Sequence, residues 1–156
     1  IEKIEPLTTS STRKKLTKSP KYIMFDLGVR RIAAKESANP TQKQMGSLFE
    51  QFIGLEILKI IRANHEKARL LFWRDHAGPE VDFVLEFQEQ YIPIEVKWTS
   101  NPTPKDARHL HKFLDEYPNV KQAYIICQTP YNMALTESIK AISWQELKSI
   151  FTDISK

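Results

Sequence analysis

Glu80-Val81-Asp82-Phe83-Val84-Leu85-Glu86-Phe87 and Tyr91-Ile92-Pro93-Ile94-Glu95-Val96-Lys97, joined through Gln88-Glu89-Gln90, decide the fold. Side chains on a strand alternate faces. With a two-residue turn at Gln88-Glu89, Val81 falls opposite Val96, Phe83 opposite Ile94, and Leu85 opposite Ile92. These pairs make one apolar face, so residues 80–97 are predicted to form a β-hairpin lying on a core. The same register sets Asp82 opposite Glu95 and Glu80 opposite Lys97 on the other face. A slip of one residue would send the two apolar sets to opposite faces, whereas a slip of two would keep them together. Two features count against a regular hairpin. Gln-Glu is not a favoured type I′ pair, and Pro93 removes a ladder donor.

Directly opposed strand residues have Cβ atoms ~5 Å apart, so Asp82 and Glu95 could share one divalent ion. Two carboxylates offer hard oxygens suited to Mg²⁺ or Mn²⁺, which complete their shells with water and phosphate oxygens. Such an ion polarises a phosphoryl group and lowers the pKa of bound water. Lys97, two residues after Glu95, can orient that water or stabilise charge growing on the phosphate. The competing reading is a metal-free hairpin in which Glu80 pairs with Lys97, an ordinary cross-strand ion pair.

Outward from the hairpin, residues 69–75 read as a strand, followed by a turn at 76–79. Residues 41–64 read as a helix, with an apolar stripe through Met45, Leu48, Phe49, Phe52, Ile53, Ile57, Ile60 and Ile61. Residues 21–29 read as a short strand, with Asp26 in a turn before Gly28. Residues 104–117 are predicted helical and end at Pro118. Residues 121–128 and 139–143 read as strands, and a last helix follows Ser143, which has capping-box spacing to Glu146. This order predicts a mixed α/β domain.

The chain has 156 residues, 41% apolar and 27% charged, which fits one globular domain. The first residue is Ile1 rather than Met, so a longer parent protein is expected. Residues 1–35 hold nine Lys and Arg against three acidic residues, whereas the whole chain carries only +4. Residues 1–20 are therefore expected to be a basic linker or arm, with the folded domain spanning 21–156. Arg13, Lys14 and Lys15 in that arm are candidate phosphate contacts, the alternative being a solvated linker. Trp98 and Arg74, flanking the hairpin, are candidates to stack on a base or grip a phosphate, although tryptophans beside strands are more often core. His109 and His111 lie on opposite sides of a helix, so they cannot chelate one ion together and read as solvated. No apolar run approaches the ~18 residues of a membrane helix. The single cysteine, Cys127, lies in an apolar run and reads as a buried inert thiol, consistent with a reducing cytoplasm.

Asp82 followed after twelve residues by Glu95-Val96-Lys97 resembles the PD-(D/E)xK nuclease superfamily. Gly46-Ser47-Leu48-Phe49-Glu50 resembles the Gly-x-x-x-Glu helix motif of members related to archaeal Holliday-junction resolvases. The resemblance implies a restriction-endonuclease-like mixed β-sheet core flanked by helices. It assigns catalytic roles to Glu50, Asp82, Glu95 and Lys97, with Asp82 and Glu95 holding Mg²⁺ or Mn²⁺. Glu80 is a further candidate. Glu56 is a rival to Glu50, but it falls inside the apolar stripe, where a structural ion pair is the alternative reading.

Lys18-Ser19-Pro20-Lys21-Tyr22, Phe25-Asp26-Leu27-Gly28, Phe72-Trp73-Arg74-Asp75 and the hairpin, in that order, narrow the resemblance. Together they look like the domain of unknown function found C-terminal to AAA-type ATPases in bacteria and archaea. This implies an N-terminal ATPase domain in the same full-length chain as partner, and nucleic acid, DNA above all, as substrate. A non-catalytic nucleic-acid-binding or regulatory module of that ATPase is the alternative.

Overall fold

The computed structural model describes residues 1–8, 19–36, 38–64, 67–75 and 78–154. Eight strands form one mixed sheet in the order β2-β1-β3-β4-β5-β6-β8-β7. They are β1 (Glu2–Pro6), β2 (Lys21–Ile23), β3 (Arg69–Arg74), β4 (Glu80–Phe87), β5 (Gln90–Val96), β6 (Ala123–Cys127), β7 (Met133–Ala134) and β8 (Ile139–Ser143). The helices are α1 (Leu27–Ala33), α2 (Gln42–Asn64), α3 (Arg108–Glu116) and α4 (Ser149–Ile154). The mixed α/β sheet flanked by helices is the predicted fold class.

Each face of the sheet buries its own apolar layer. On one, Phe49, Ile53 and Ile57 of α2 and Ile150 of α4 belong to the same core as Phe72, Phe83, Leu85, Ile94 and Ile126. On the other, Leu110 and Phe113 of α3 join Trp73, Val84, Ile125 and Cys127. Every residue of β6 is buried, as expected for a strand covered on both faces. Cys127 is fully buried, and burial pushes its thiol pKa up, in keeping with an inert thiol.

The long helix α2 starts where its sequence allows. Thr41 and Gln44 exchange bonds: Gln44 N–H donates to Thr41 Oγ1, and Thr41 N–H donates to Gln44 Oε1. This satisfies two groups at the helix start. In its middle, Gly54 lets the backbone approach the sheet. A Cβ at Gly54 would lie 2.5 Å from Ile23 Cδ1 and 2.8 Å from Phe83 Cζ, whereas one at Gly46 meets nothing within 4 Å. Gly54→Ala should therefore destabilise by about 1 kcal/mol, overcrowding outweighing the helix gain. Gly46→Ala should stabilise by about the same amount. Urea denaturation of both variants checks for the opposite signs.

The hairpin register matches the prediction from the turn as far as Phe83: Phe83 pairs with Ile94, Leu85 with Ile92, and Phe87 with Gln90, while the predicted Asp82–Glu95 and Glu80–Lys97 pairs fall beyond the end of this ladder. The turn takes positive φ at Gln88 (50°) and Glu89 (64°), the signature of a type I′ turn despite its unfavoured residues. Strict alternation fails at one place. Leu71 pairs with Val84 but Trp73 pairs with Val81, so three steps along β4 answer two along β3. This bulge sends Val81 to the α3 face with Val84, while Phe83, Leu85 and Val96 line the α2 face. The predicted Val81–Val96 contact across one face is thereby corrected, and Asp82 lies within the bulge.

Other expectations change as well. Residues 1–20 are not wholly an arm, because Glu2–Pro6 pairs with β2 and β3 and buries Ile4. Arg13, Lys14 and Lys15 lie outside the described residues. Residues 21–29 are not one strand: β2 ends at Ile23, and Asp26 is the N-cap of α1, its Oδ1 accepting from Val29 N–H at 2.9 Å. Residues 104–117 open with a 3₁₀ turn, Pro104–Ala107, before α3. Ser143 makes no side-chain cap on the 3₁₀ turn Trp144–Glu146.

Candidate active site

The bulge in β4 and the parting of the hairpin strands create the site. Beyond the Phe83–Ile94 pair, Val96 N–H donates to the Asp82 carboxylate, Oδ2, at 2.8 Å. The Asp82 carbonyl, freed by the bulge, accepts instead from Lys21 Nζ at 3.2 Å. A bulge commonly re-aims a side chain at a functional site, and here it presents both ends of one residue to polar partners.

Glu95 is almost wholly buried, its side chain 3% exposed. Its Oε1 is 2.7 Å from Lys97 Nζ and 3.6 Å from His109 Nδ1 on α3. Its Oε2 is buried and has no hydrogen-bond partner. A buried carboxylate oxygen without a partner carries a large desolvation penalty. Burial raises the Glu95 pKa, against the opposing pull of Lys97 and His109. Burial likewise raises that of Asp82 well above the ordinary carboxylate value, and the charges of Glu95 and Glu50 push it further. The two carboxylates thus form an interacting pair whose charged forms burial disfavours.

A second group of carboxylates gathers around Lys21 of β2. Its Nζ lies 2.8 Å from Glu50 Oε1 and 2.9 Å from Glu80 Oε1. Burial disfavours the Lys21 ammonium, but Glu50, Asp82 and Glu80 outweigh it and raise its pKa. Burial also opposes ionisation of Glu80, yet Lys21 and Arg74 prevail and lower its pKa. For Lys97, too, burial opposes the charge and Glu95 prevails, so its pKa is raised.

Glu50, Asp82, Glu95 and Lys97 are thus brought into one neighbourhood, with Glu80 beside them. The Glu80–Lys97 ion pair does not form: Glu80 bonds Lys21 and Arg74, and Lys97 bonds Glu95. Glu56 stays on the helix surface, paired to Lys59 at 2.6 Å, the structural ion pair that was its alternative. Trp98, partly buried, packs edge-on against Phe49 at the margin of the core, ring centroids 5.2 Å apart. Arg74 donates to Glu80 through Nε at 2.7 Å and is held by that carboxylate.

Two residues join the site that sequence reasoning left out. Lys21 lay in one of the motif segments, but nothing local pointed to a place in the site, since its partners are 29 and 61 positions away. His109 was set aside because it cannot chelate an ion with His111, a test that says nothing of a partner on β5. Among the described residues, no three His, Cys, Asp or Glu side chains converge to hold a metal ion by themselves. An ion at Asp82 and Glu95 would therefore rely on water or phosphate oxygens for the rest of its shell, as Mg²⁺ ordinarily does. No described helix is long and apolar enough to cross a membrane.

Residues 45–147 match the family described as Domain of unknown function (DUF4143). No curated protein matches the chain. Among solved structures, the fold is similar to a chain in the refined half-complex from the tetradecameric assembly of Thermococcus gammatolerans McrB AAA+ hexamers with bound McrC. The two are 14% identical with a TM-score of 0.50, over 71% of this chain and 33% of that one. This protein therefore spans about a third of the length of the solved chain it matches, and the likeness is one of fold.

Proposed function

The chain belongs to the DUF4143 family, a domain of unknown function, and we propose that its Asp82–Glu95 pair is a metal-dependent DNA phosphodiesterase site of the PD-(D/E)xK kind. The observation that carries this reading is Glu95 Oε2, a buried carboxylate oxygen with no partner, in a residue whose charge acts on Asp82. An anionic oxygen so placed is strongly disfavoured until a proton, a water or a cation joins it, and a cation shared with Asp82 is the partner this reading assigns. The donor set fits Mg²⁺ or Mn²⁺, being hard carboxylate oxygens with room in the shell for water and phosphate. When bound, the ion would polarise the phosphoryl oxygen and lower the pKa of its water.

The chain's own residues supply the rest. Lys97, tethered to Glu95 Oε1, offers a fixed ammonium beside the pair. It can orient a water or stabilise a phosphate oxygen as charge builds there. His109 closes the site from the α3 side, and Val96 N–H fixes the Asp82 carboxylate. Glu50 holds Lys21 and adds its own charge to the field on the pair. We further read the domain as ATPase-associated. Its motif order resembles domains attached to AAA-type ATPases, and its fold is similar to that of a chain from an assembly of AAA+ hexamers.

Incubation of linear and branched DNA with the protein and Mn²⁺ tests the reading. Cleavage by the wild type and none by Asp82→Ala is the expected result. Cleavage that survives Asp82→Ala contradicts the site. Mn²⁺ binding without cleavage by either would instead favour a non-catalytic module serving the ATPase.

A further inference from the structure

We propose that the Lys21 ammonium is a built-in cation occupying the place of a second divalent ion, so that the site takes one ion only, at Asp82 and Glu95. This rests on the metal reading above and specifies its stoichiometry. Lys21 Nζ is held by Glu50 Oε1 at 2.8 Å, Glu80 Oε1 at 2.9 Å and the Asp82 carbonyl at 3.2 Å. Two carboxylates and a carbonyl form the hard-oxygen set that Mg²⁺ or Mn²⁺ uses together with water. Sites with two ions place them about 3.5–4 Å apart across shared ligands. Asp82 faces both places, with its carbonyl toward Lys21 and its carboxylate on Val96 N–H beside Glu95.

The two halves of the site differ in what remains open. Around Lys21 the oxygens Glu50 Oε1 and Glu80 Oε1 already carry the ammonium, which also sits over the Phe72 and Phe83 rings at 5.6 and 5.4 Å. Those rings add cation–π attraction. At Glu95, Lys97 takes only Oε1, and Oε2 stays without a partner. The vacant donor is thus on the Glu95 side. Lys21 is accordingly a positioning residue: it fixes Glu50 and Glu80 and, with Arg74 on Glu80 Oε2, balances their charge without a metal.

Counting bound Mn²⁺ by the electron paramagnetic resonance signal of the free ion, on the full chain at neutral pH, tests this. The wild type should bind one Mn²⁺, lost in Glu95→Gln. Lys21→Met, which keeps the stem but removes the charge, should bind a second ion that disappears again when Glu50→Gln is added. A folded Lys21→Met that binds one ion, or a wild type that binds two, overturns the inference while leaving the metal reading intact. Should Lys21→Met fail to fold, Glu50→Gln decides: a retained single ion supports the inference, and its loss makes Glu50 a metal ligand and overturns it. A wild type that binds no Mn²⁺ removes the metal reading itself, and this inference with it.

Discussion

Lys21→Met, without added metal, is expected to destabilise the protein by about 2–3 kcal/mol. The ammonium is the counter-charge to Glu50 and Glu80 and the donor to the Asp82 carbonyl. Methionine leaves Glu50 and the Asp82 carbonyl facing an apolar tip and Glu80 with Arg74 as its remaining cation. Breaking a fully buried pair costs about 3–5 kcal/mol. The figure here is lower because Lys21, Glu50 and Glu80 keep 18%, 30% and 25% side-chain exposure, so water partly compensates. Urea denaturation monitored by circular dichroism measures it. Lys21→Arg, which keeps the charge, should recover part of the loss, and a change below about 0.5 kcal/mol for Lys21→Met would show that the cluster is solvated.

Asp82→Asn should act in the opposite direction and stabilise the metal-free protein near neutral pH by about 1–2 kcal/mol, or roughly 3–6 °C in Tm. Asparagine can still accept from Val96 N–H, but it removes a charge that burial, Glu95 and Glu50 all disfavour. The sign follows from the raised pKa. Below the unfolded value, about 3.9, Asp82 is neutral in both states and contributes nothing. As pH rises past that value, the unfolded chain gives up the proton more readily than the folded one, and the native state loses stability. The advantage of Asp82→Asn therefore opens above about pH 4 and levels off once the folded group has also ionised. Added Mn²⁺ should close the gap by stabilising only the wild type. Melting curves from pH 4 to pH 8, with and without Mn²⁺, measure both effects.

The parts of this fold that were legible in the sequence are those specified by local pattern. The β4–β5 register follows from Phe83, Leu85, Ile92 and Ile94, whose alternation admits few pairings. Helix α2 follows from its apolar stripe, and β6 from an unbroken apolar run. Strand β1 was missed because Ile4 is its only fully buried residue, too little for a periodic signal. The bulge was missed because one extra residue in β4 shows only against its partner β3.

The site divides in the same way. Asp82, Glu95 and Lys97 sit on adjacent strands of one hairpin, so spacing brought them together. Glu50 came through a motif on α2. Lys21 is distant in sequence from its site partners, and β2 is separated from β4 in the sheet by β1 and β3. His109 needed the placement of α3 against β5. The bulge also changes how the hairpin site works: Asp82 offers its carbonyl to Lys21 as well as its carboxylate to the Glu95 pair.

Asp82 and Glu95, in the site proposed above, hold one divalent ion between them. Anomalous diffraction from a crystal grown with Mn²⁺ tests it most directly. A single anomalous peak coordinated by Glu95 Oε2 and Asp82, with Lys21 still bonded to Glu50 and Glu80, is the predicted result. A fully ordered site with no peak there, or a peak among Glu50, Glu80 and the Asp82 carbonyl instead, would contradict it.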